Sequence, residues 1–310
     1  MKRGRKGVDP TTTGKPALDQ DKPKQDEPPA VSVFSFALRE WDKNNMELSG
    51  KLAIVTGASR GIGRALAIEL AKSGSKLLLT ALEEDELSSI LNELRSKFFV
   101  PVEAMACDLS DLESRKNLIN WILNSKEPPD ILVNNAGLGY FGRFEDSDWK
   151  RIEKTVALNI SALIHLTYEL IPILKKRPSA KIVNISSGMA RLPYPGLAVY
   201  GATKGFASSF SESLASELSG TSINILCFHP GFAMTSFISS AGMNMQKVPR
   251  ILIHGPEDIA MQIVRAIRKD KQWAYSDFLT RFSVGMGTIL PSRLRTSILK
   301  DLFWRLPGAK

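Results

Sequence analysis

Apolar positions change rhythm at Lys51. Short apolar runs, LAIVT (52–56), KLLLT (76–80), VEAMA (102–106), ILVNN (131–135), KIVNIS (181–186) and SINILCF (222–228), alternate with segments whose apolar residues recur at helical spacing. A helix is predicted after the first run as far as Lys72, and a Glu-led helix after the second. A third helix runs through Trp121 and Leu123, and two long helices are expected over 148–175 and 198–219. WAY near 274 reads as a short seventh strand. Continuous apolar strands separated by helices predict a parallel sheet buried on both faces, that is, a doubly wound α/β domain of six to seven strands.

The flanks read differently. The first thirty or so residues are rich in Lys, Asp, Pro, Thr and Gln without apolar periodicity, which predicts disorder. Lys2, Arg3, Arg5 and Lys6 are not followed by the apolar region of a signal peptide. Val31 to Trp41 form an apolar patch that suits a docking helix. The organisation expected is an N-terminal extension over 1–48, a catalytic domain over 49–270 and a basic amphipathic extension over 271–310. No stretch reads as long enough to span a bilayer, which predicts a cytoplasmic protein.

Charge sharpens the view of the C-terminus. The net charge is +9, of which residues 247–310, with twelve Lys/Arg against five Asp/Glu, carry +7. The near-neutral body and the lack of a nucleic-acid-binding motif argue against a nucleic-acid partner. Pro291 divides the segment 278–306. Beyond it, Leu294, Ile298, Leu302 and Leu306 recur at steps of four, with Arg293, Arg295, Lys300 and Arg305 largely off that stripe. Such a helix suits peripheral contact with an anionic membrane surface, packing on the enzyme body, or a second subunit. Cys107 and Cys227 sit in apolar runs and read as reduced core residues. Neither they nor the three histidines have metal-ligand spacing, so no metal is expected. His165 and His229 read as structural.

The first run leads directly into TGASRGIG (Thr56 to Gly63) and a helical segment. A strand turning sharply into a helix against a pyrophosphate needs Gly57 for the turn, Gly61 for close approach and Gly63 for helix–strand packing. The helix N-terminus then offers unpaired N–H groups to phosphate. This makes the sheet Rossmann-type and gives Gly57, Ser59, Arg60, Gly61, Ile62 and Gly63 as cofactor-binding candidates.

Further motifs follow in order: NNAG at Asn134 to Gly137, Asn159 in TVALNISAL, Ser187 after NIS, YGATK at Tyr200 to Lys204, and HPG at His229 to Gly231 with Thr235 beyond. Over residues 50–270 the chain resembles the short-chain dehydrogenase/reductase family. The resemblance implies a nicotinamide cofactor, held also by Asp108, Leu109, Asn135, Ala136, Gly137, Tyr200, Lys204, Pro230, Gly231 and Thr235. It implies catalysis by Asn159, Ser187, Tyr200 and Lys204, with Asn159 holding a water in a proton relay through the lysine. It also implies a homo-oligomer, dimer or tetramer, built on the two long helices. Asp108 could instead cap the following helix, with Ser110 as a rival.

The chemistry of the four residues stands on its own. Tyr200 and Lys204 are four apart and share one helix face. An adjacent ammonium is expected to lower a tyrosine from its usual value of about 10 toward neutrality. Ser187 can hydrogen-bond a substrate carbonyl or alcohol oxygen, while the cofactor handles the hydride. Ala81 stands where a carboxylate would select NAD(H), and Arg60 suits a 2′-phosphate, so NADP(H) is preferred and NAD(H) not excluded. Leu82 is not the second basic residue that NADP-using relatives often carry, and Glu83 and Glu84 follow it.

The loops LGYFGRF (138–144), GMARLPYPGLAV (188–199) and FAMTSFISSAGMNMQKVP (232–249) are rich in Phe, Met, Leu and Tyr. They suit either a small lipophilic substrate or a lid packing on itself. The function expected is interconversion of a ketone and a secondary alcohol. The rival is a catalytically silent cofactor-binding regulatory or scaffold protein at a membrane surface.

Overall fold

Leu, Ile, Val and Ala fill the strands so completely that each must be covered on both sides. The computed structural model describes residues 46–235, 237, 241 and 253–304. The expectations for residues 1–45, including the Val31–Trp41 patch, and for 242–252 lie outside these. Six strands match the apolar runs: β1 (Leu52–Thr56), β2 (Lys76–Ala81), β3 (Val102–Ala106), β4 (Ile131–Asn134), β5 (Ala180–Ile185) and β6 (Ile223–His229). The short strands β7 (Phe232–Ala233) and β8 (Ile253–His254) pair with each other, and β9 (Trp273–Tyr275) joins the main sheet beside β6. The sheet is seven-stranded and parallel, in the order β3-β2-β1-β4-β5-β6-β9. It therefore reaches past residue 270.

Helices α1 (Gly61–Lys72), α2 (Glu84–Lys97) and α6 (Pro256–Arg268) cover one face. There Leu66, Leu70, Ile90, Leu94, Ile259 and Ile263 pack with Ala53, Val55, Leu77 and Leu79. Helices α3 (Leu112–Leu123), α4 (Trp149–Leu174) and α5 (Ala198–Glu217) cover the other. There Leu118, Ile122, Leu166, Leu170 and Leu214 pack with Ile54, Leu78, Leu132 and Ile182. Neighbouring strand residues thus serve opposite layers, as a period of two requires. Leu48 is fully buried in the first layer, and the Met46 amide donates to the Arg268 carbonyl (2.8 Å).

Two expectations change. Helix α4 is long and apolar enough to cross a membrane by length and composition, although no stretch was expected to be. Its apolar side packs on the sheet, with Leu163, Leu166, Leu170 and Leu174 buried. The cap of α3 is Asp111, which accepts from the Ser114 amide (2.7 Å), rather than Asp108 or Ser110.

After β9 come α7 (Phe278–Ile289) and α8 (Ser292–Trp304), separated at Pro291. Helix α7 buries Thr280 and Val284 against the body, and Gly287 approaches so closely that a Cβ would lie 2.5 Å from the Arg191 carbonyl oxygen. Among the described side chains of α8, Leu299 is buried. Arg295, off the apolar stripe, donates to the carbonyls of Gly287 (2.6 Å) and Arg191 (3.3 Å), which favours packing on the enzyme body for this residue. Leu294 is exposed, while the Ile298, Leu302 and Leu306 side chains lie outside the described residues.

Candidate active site

The strand order reverses between β1 and β4, and in open α/β sheets that switch point leaves a crevice at the carboxyl ends of the strands. Here it opens into a cavity of about 570 Å³. The glycine loop forms one wall. Gly57 and Gly61 adopt φ of +65° and +56°, a region that strains other residues. A Cβ at Gly63 would lie 2.1 Å from the Gly57 carbonyl oxygen, so this glycine serves packing and does not line the cavity. Helix α1 begins without a side-chain cap, which leaves its first N–H groups to a ligand. Ser59, Arg60 and Ile62 line the same wall.

Thr56, which the sequence reading passed over, fixes this wall to the next. Its hydroxyl donates to the Val133 carbonyl (3.1 Å) and accepts from the amides of Asn135 and Ala136 (both 3.0 Å). Asn135 returns its side-chain amide to the carbonyls of Thr56 (2.8 Å) and Gly57 (3.2 Å). Asn135 thus borders the cavity but commits its side-chain donors to the glycine loop.

Beyond β2 and β3 the cavity is bordered by Ala81, Leu82, Glu83, Asp108 and Leu109. Asp108 accepts from the Ser110 amide and hydroxyl and pairs with Lys154 (3.0 Å). Burial disfavours its charge, but these hydrogen bonds prevail and hold the carboxyl below its usual range. Arg60 is not free: its Nε pairs with Glu86 Oε2 at 3.0 Å. The opposing carboxylate is Glu86 in the first turn of α2, rather than Glu83 or Glu84.

At the other end, Ser187, Tyr200 and Lys204 line the wall, and Pro230, Gly231 and Thr235 lead from there back to the glycine loop. The Ser187 hydroxyl accepts from the Met189 amide (3.1 Å) and stands close enough to the Tyr200 phenol to favour its ionisation. Lys204 donates to the Ile185 carbonyl (2.8 Å), and its Nζ lies 5.9 Å from the Tyr200 ring centroid. Asn159 is buried behind this wall, in a π-helical turn of α4 (Ala157–Ala162), and does not line the cavity. A Cβ on Gly137 would touch both Asn159 Oδ1 (3.3 Å) and Lys204 Nζ (3.4 Å), so that glycine separates the two. Phe237 stacks obliquely on Tyr200, with centroids 5.3 Å apart, and closes the front.

The expected depression of the tyrosine is not met here. Burial pushes the Tyr200 phenol up to about 12, with the Ser187 hydroxyl opposing weakly. The same burial pulls Lys204 down to about 8. Desolvation outweighs the ammonium because Lys204 turns to a backbone carbonyl rather than to the phenol oxygen. His229 is fully buried, stacks against both Trp273 and Tyr275, and meets Ser208 at 3.0 Å. His165 is half-buried and accepts from Arg115 (3.1 Å). Cys107 and Cys227 are buried free thiols.

The family model of short chain dehydrogenases matches residues 51–245. The chain belongs to this family. It is an NAD(P)-dependent oxidoreductase of the short-chain dehydrogenase/reductase type. Among solved structures, a short-chain dehydrogenase from Sphingobium yanoikuyae in complex with NADPH superposes with a TM-score of 0.71 at 25% identity, covering 84% of this chain and 98% of that one. The very-long-chain 3-oxoacyl-CoA reductase of Rattus norvegicus is 35% identical over 191 residues, 60% of each chain. Glycine betaine reductase ATRR of Emericella nidulans is 32% identical over 75% of this chain, which spans only 19% of that protein's length.

Proposed function

We propose that this short-chain dehydrogenase/reductase prefers NADP(H) and interconverts a ketone and a secondary alcohol on a lipophilic substrate. The observation that carries the reading is the convergence of Ser187, Tyr200 and Lys204 on one wall of the cavity, with the Lys204 ammonium 5.9 Å from the Tyr200 ring centroid. When bound, the cofactor supplies or accepts the hydride. Ser187 holds the substrate oxygen. Tyr200, kept protonated by its burial, gives that oxygen its proton in the reductive direction. Lys204 would then return a proton to Tyr200 through a relay water held at Asn159, the role that the family resemblance implies for that residue. Gly57 to Ile62 and the open start of α1 receive the phosphates, and Asp108, Leu109, Ala136, Gly137, Pro230, Gly231 and Thr235 border the rest of the cofactor.

NADP(H) preference rests on the absence of a carboxylate at Ala81 and Leu82 and on Arg60 at the same mouth. A 2′-phosphate would have to draw Arg60 from Glu86, which lessens the advantage without removing it. A lipophilic substrate is supported by Leu138, Met189 and Phe237 around the tyrosine, and by the likeness to a reductase of very-long-chain 3-oxoacyl-CoA.

The outer face of α7 supports a peripheral membrane contact by a cytoplasmic protein. Phe278, Phe282 and Ile289 are 77%, 55% and 78% exposed on one stripe, with Arg281 exposed on the same helix and Arg293 exposed at the start of α8. A homo-oligomer is supported by apolar residues on the outer side of α4, where Ile164 and Tyr168 are exposed.

Oxidation of NADPH and NADH against a panel of lipophilic ketones, with Tyr200→Phe as control, tests the reading. Turnover that depends on Tyr200 and is faster with NADPH supports it. Full activity in Tyr200→Phe overturns the mechanism. Cofactor binding with no turnover on any ketone favours the silent scaffold.

A further inference from the structure

The carboxylate of Asp277 gathers donors from two separate segments. Its Oδ1 accepts the Thr280 amide (2.7 Å), and its Oδ2 accepts the hydroxyls of Ser276 and Thr280 (both 2.7 Å) and Nε2 of His254 (2.9 Å). Ser276, having donated to Asp277, accepts the Gly231 amide at 2.7 Å. A Cβ on Gly231 would lie 2.7 Å from Thr280 Oγ1, 2.9 Å from Asp277 Oδ2 and 3.0 Å from Ser276 Oγ. The backbone at 231 is therefore seated directly in this polar cluster. Ser276 and Thr280 are buried, so a donor displaced from the carboxylate would find little water to replace it.

Gly231 occupies the turn from β6 to β7, which spans both ends of the cavity. On one side the Gly188 amide, next to Ser187, donates to the Pro230 carbonyl (2.8 Å). On the other, a Cβ on Gly61 of the glycine loop would lie 3.2 Å from Thr235 Cγ2. His254 extends the same hold to β8, the partner strand of β7. A shift of this turn would move the wall beside the catalytic hydroxyls and the wall beside the phosphate loop together.

We propose that Asp277 is a positioning residue for the cofactor: acting through Ser276 and the Gly231 amide, it fixes the β6–β7 turn at the edge of the NADP(H) cavity. The proposal rests on the reading that residues 230–235 border the cofactor. It gives the segment after β9 a part in cofactor affinity, although that segment lies beyond the match to the family model.

Four proteins decide it: wild type, Ser276→Ala, Asp277→Asn and the double variant. Asparagine caps a helix start as well as aspartate, so α7 keeps its N-cap. Its amide nitrogen, however, puts a donor where Ser276, Thr280 and His254 now donate. NADPH dissociation constants are read by fluorescence, KM and kcat with an active ketone, and Tm by calorimetry. The expected result is NADPH affinity weakened about tenfold in both variants, as for loss of a charge-assisted hydrogen bond, with kcat within about twofold. The double variant should be no weaker than Asp277→Asn, because both act along one path. Should Asp277→Asn not fold, Ser276→Ala decides alone, since it leaves the Asp277–Thr280 cap intact. Unchanged NADPH affinity in folded Ser276→Ala, or a fall in kcat without a fall in affinity, overturns the proposal. A wild type that binds no NADPH overturns the underlying reading of the cavity instead.

Discussion

Asn159 and Leu138 exchange two hydrogen bonds: the Leu138 amide donates to Oδ1 (2.9 Å), and Nδ2 donates to the Leu138 carbonyl (2.8 Å). The remaining Nδ2 hydrogen goes to Thr203 Oγ1 (2.9 Å). Asn159 thereby fastens the loop after β4, which carries Gly137, to α5, which carries Lys204. Asn159→Ala would leave both Leu138 groups without their partner, at a cost of about 1–3 kcal/mol in stability. It should also lower kcat by about a hundredfold, because the walls that position Lys204 lose their tie. Denaturant unfolding and steady-state kinetics check the two effects separately. Lost stability with intact kcat would leave Asn159 a brace and nothing more.

The π-helical turn that presents Asn159 could not be read from TVALNISAL, because no residue there signals the extra backbone residue of such a turn. It goes with the long-range pairing to Leu138. The strands, by contrast, were legible almost to the residue, since a run such as LAIVT with every side chain apolar suits only a strand covered on both faces. Helix caps were less so. In DLSD three residues compete to cap α3, and Asp108 loses because Ser110 and Lys154 already hold its carboxylate. Asp277 with Thr280 three residues later is a capping pattern, yet its link to Gly231 depends on chain distant in sequence. The Tyr200 environment was misjudged because helical spacing shows nearness to Lys204 but not where Nζ is committed.

The Arg60–Glu86 pair makes cofactor choice adjustable. Both side chains are about half exposed, so the pair itself contributes little to stability. Removing the competitor should nevertheless matter to a phosphate. Glu86→Gln is expected to lower KM for NADPH by about three- to fivefold and leave NADH unaffected, within the range of a weakly screened charge contact. Arg60→Ala should raise KM for NADPH about tenfold and narrow the preference. If Arg60→Ala treats the two cofactors as wild type does, Arg60 has no part in the choice.

His229 makes the fold sensitive to acid. Burial lowers it from 6.5 to about 4, with the Arg191 charge acting in the same direction. Between those values the unfolded chain binds the proton and the folded protein does not. The stability is therefore fully present above pH 6.5 and is lost as pH falls through about 4. The loss amounts to about 3 kcal/mol. His229→Gln, compared with wild type by urea unfolding at neutral pH and at roughly pH 5, should show a smaller loss on acidification. Equal losses in the two proteins would place the acid sensitivity elsewhere.

Helix α7 is apolar on two sides, and only one of them is used by the body. Thr280, Val284 and Gly287 face inward, while Phe278 and Phe282 stack on the outside with centroids 6.4 Å apart. Phe278→Ser with Phe282→Ser leaves the inner contacts in place, so Tm should stay within a few degrees of wild type. Each phenylalanine withdrawn from water into a lipid interface is worth about 1.5–3 kcal/mol. Their joint loss should reduce partitioning onto vesicles by tenfold or more. Phosphatidylserine vesicles should retain wild type better than neutral ones, and added salt should weaken that advantage, because Arg281 and Arg293 supply the charge. Flotation with both vesicle types measures it. Wild type that stays unbound on phosphatidylserine at low salt would show that the outer stripe serves something other than a membrane.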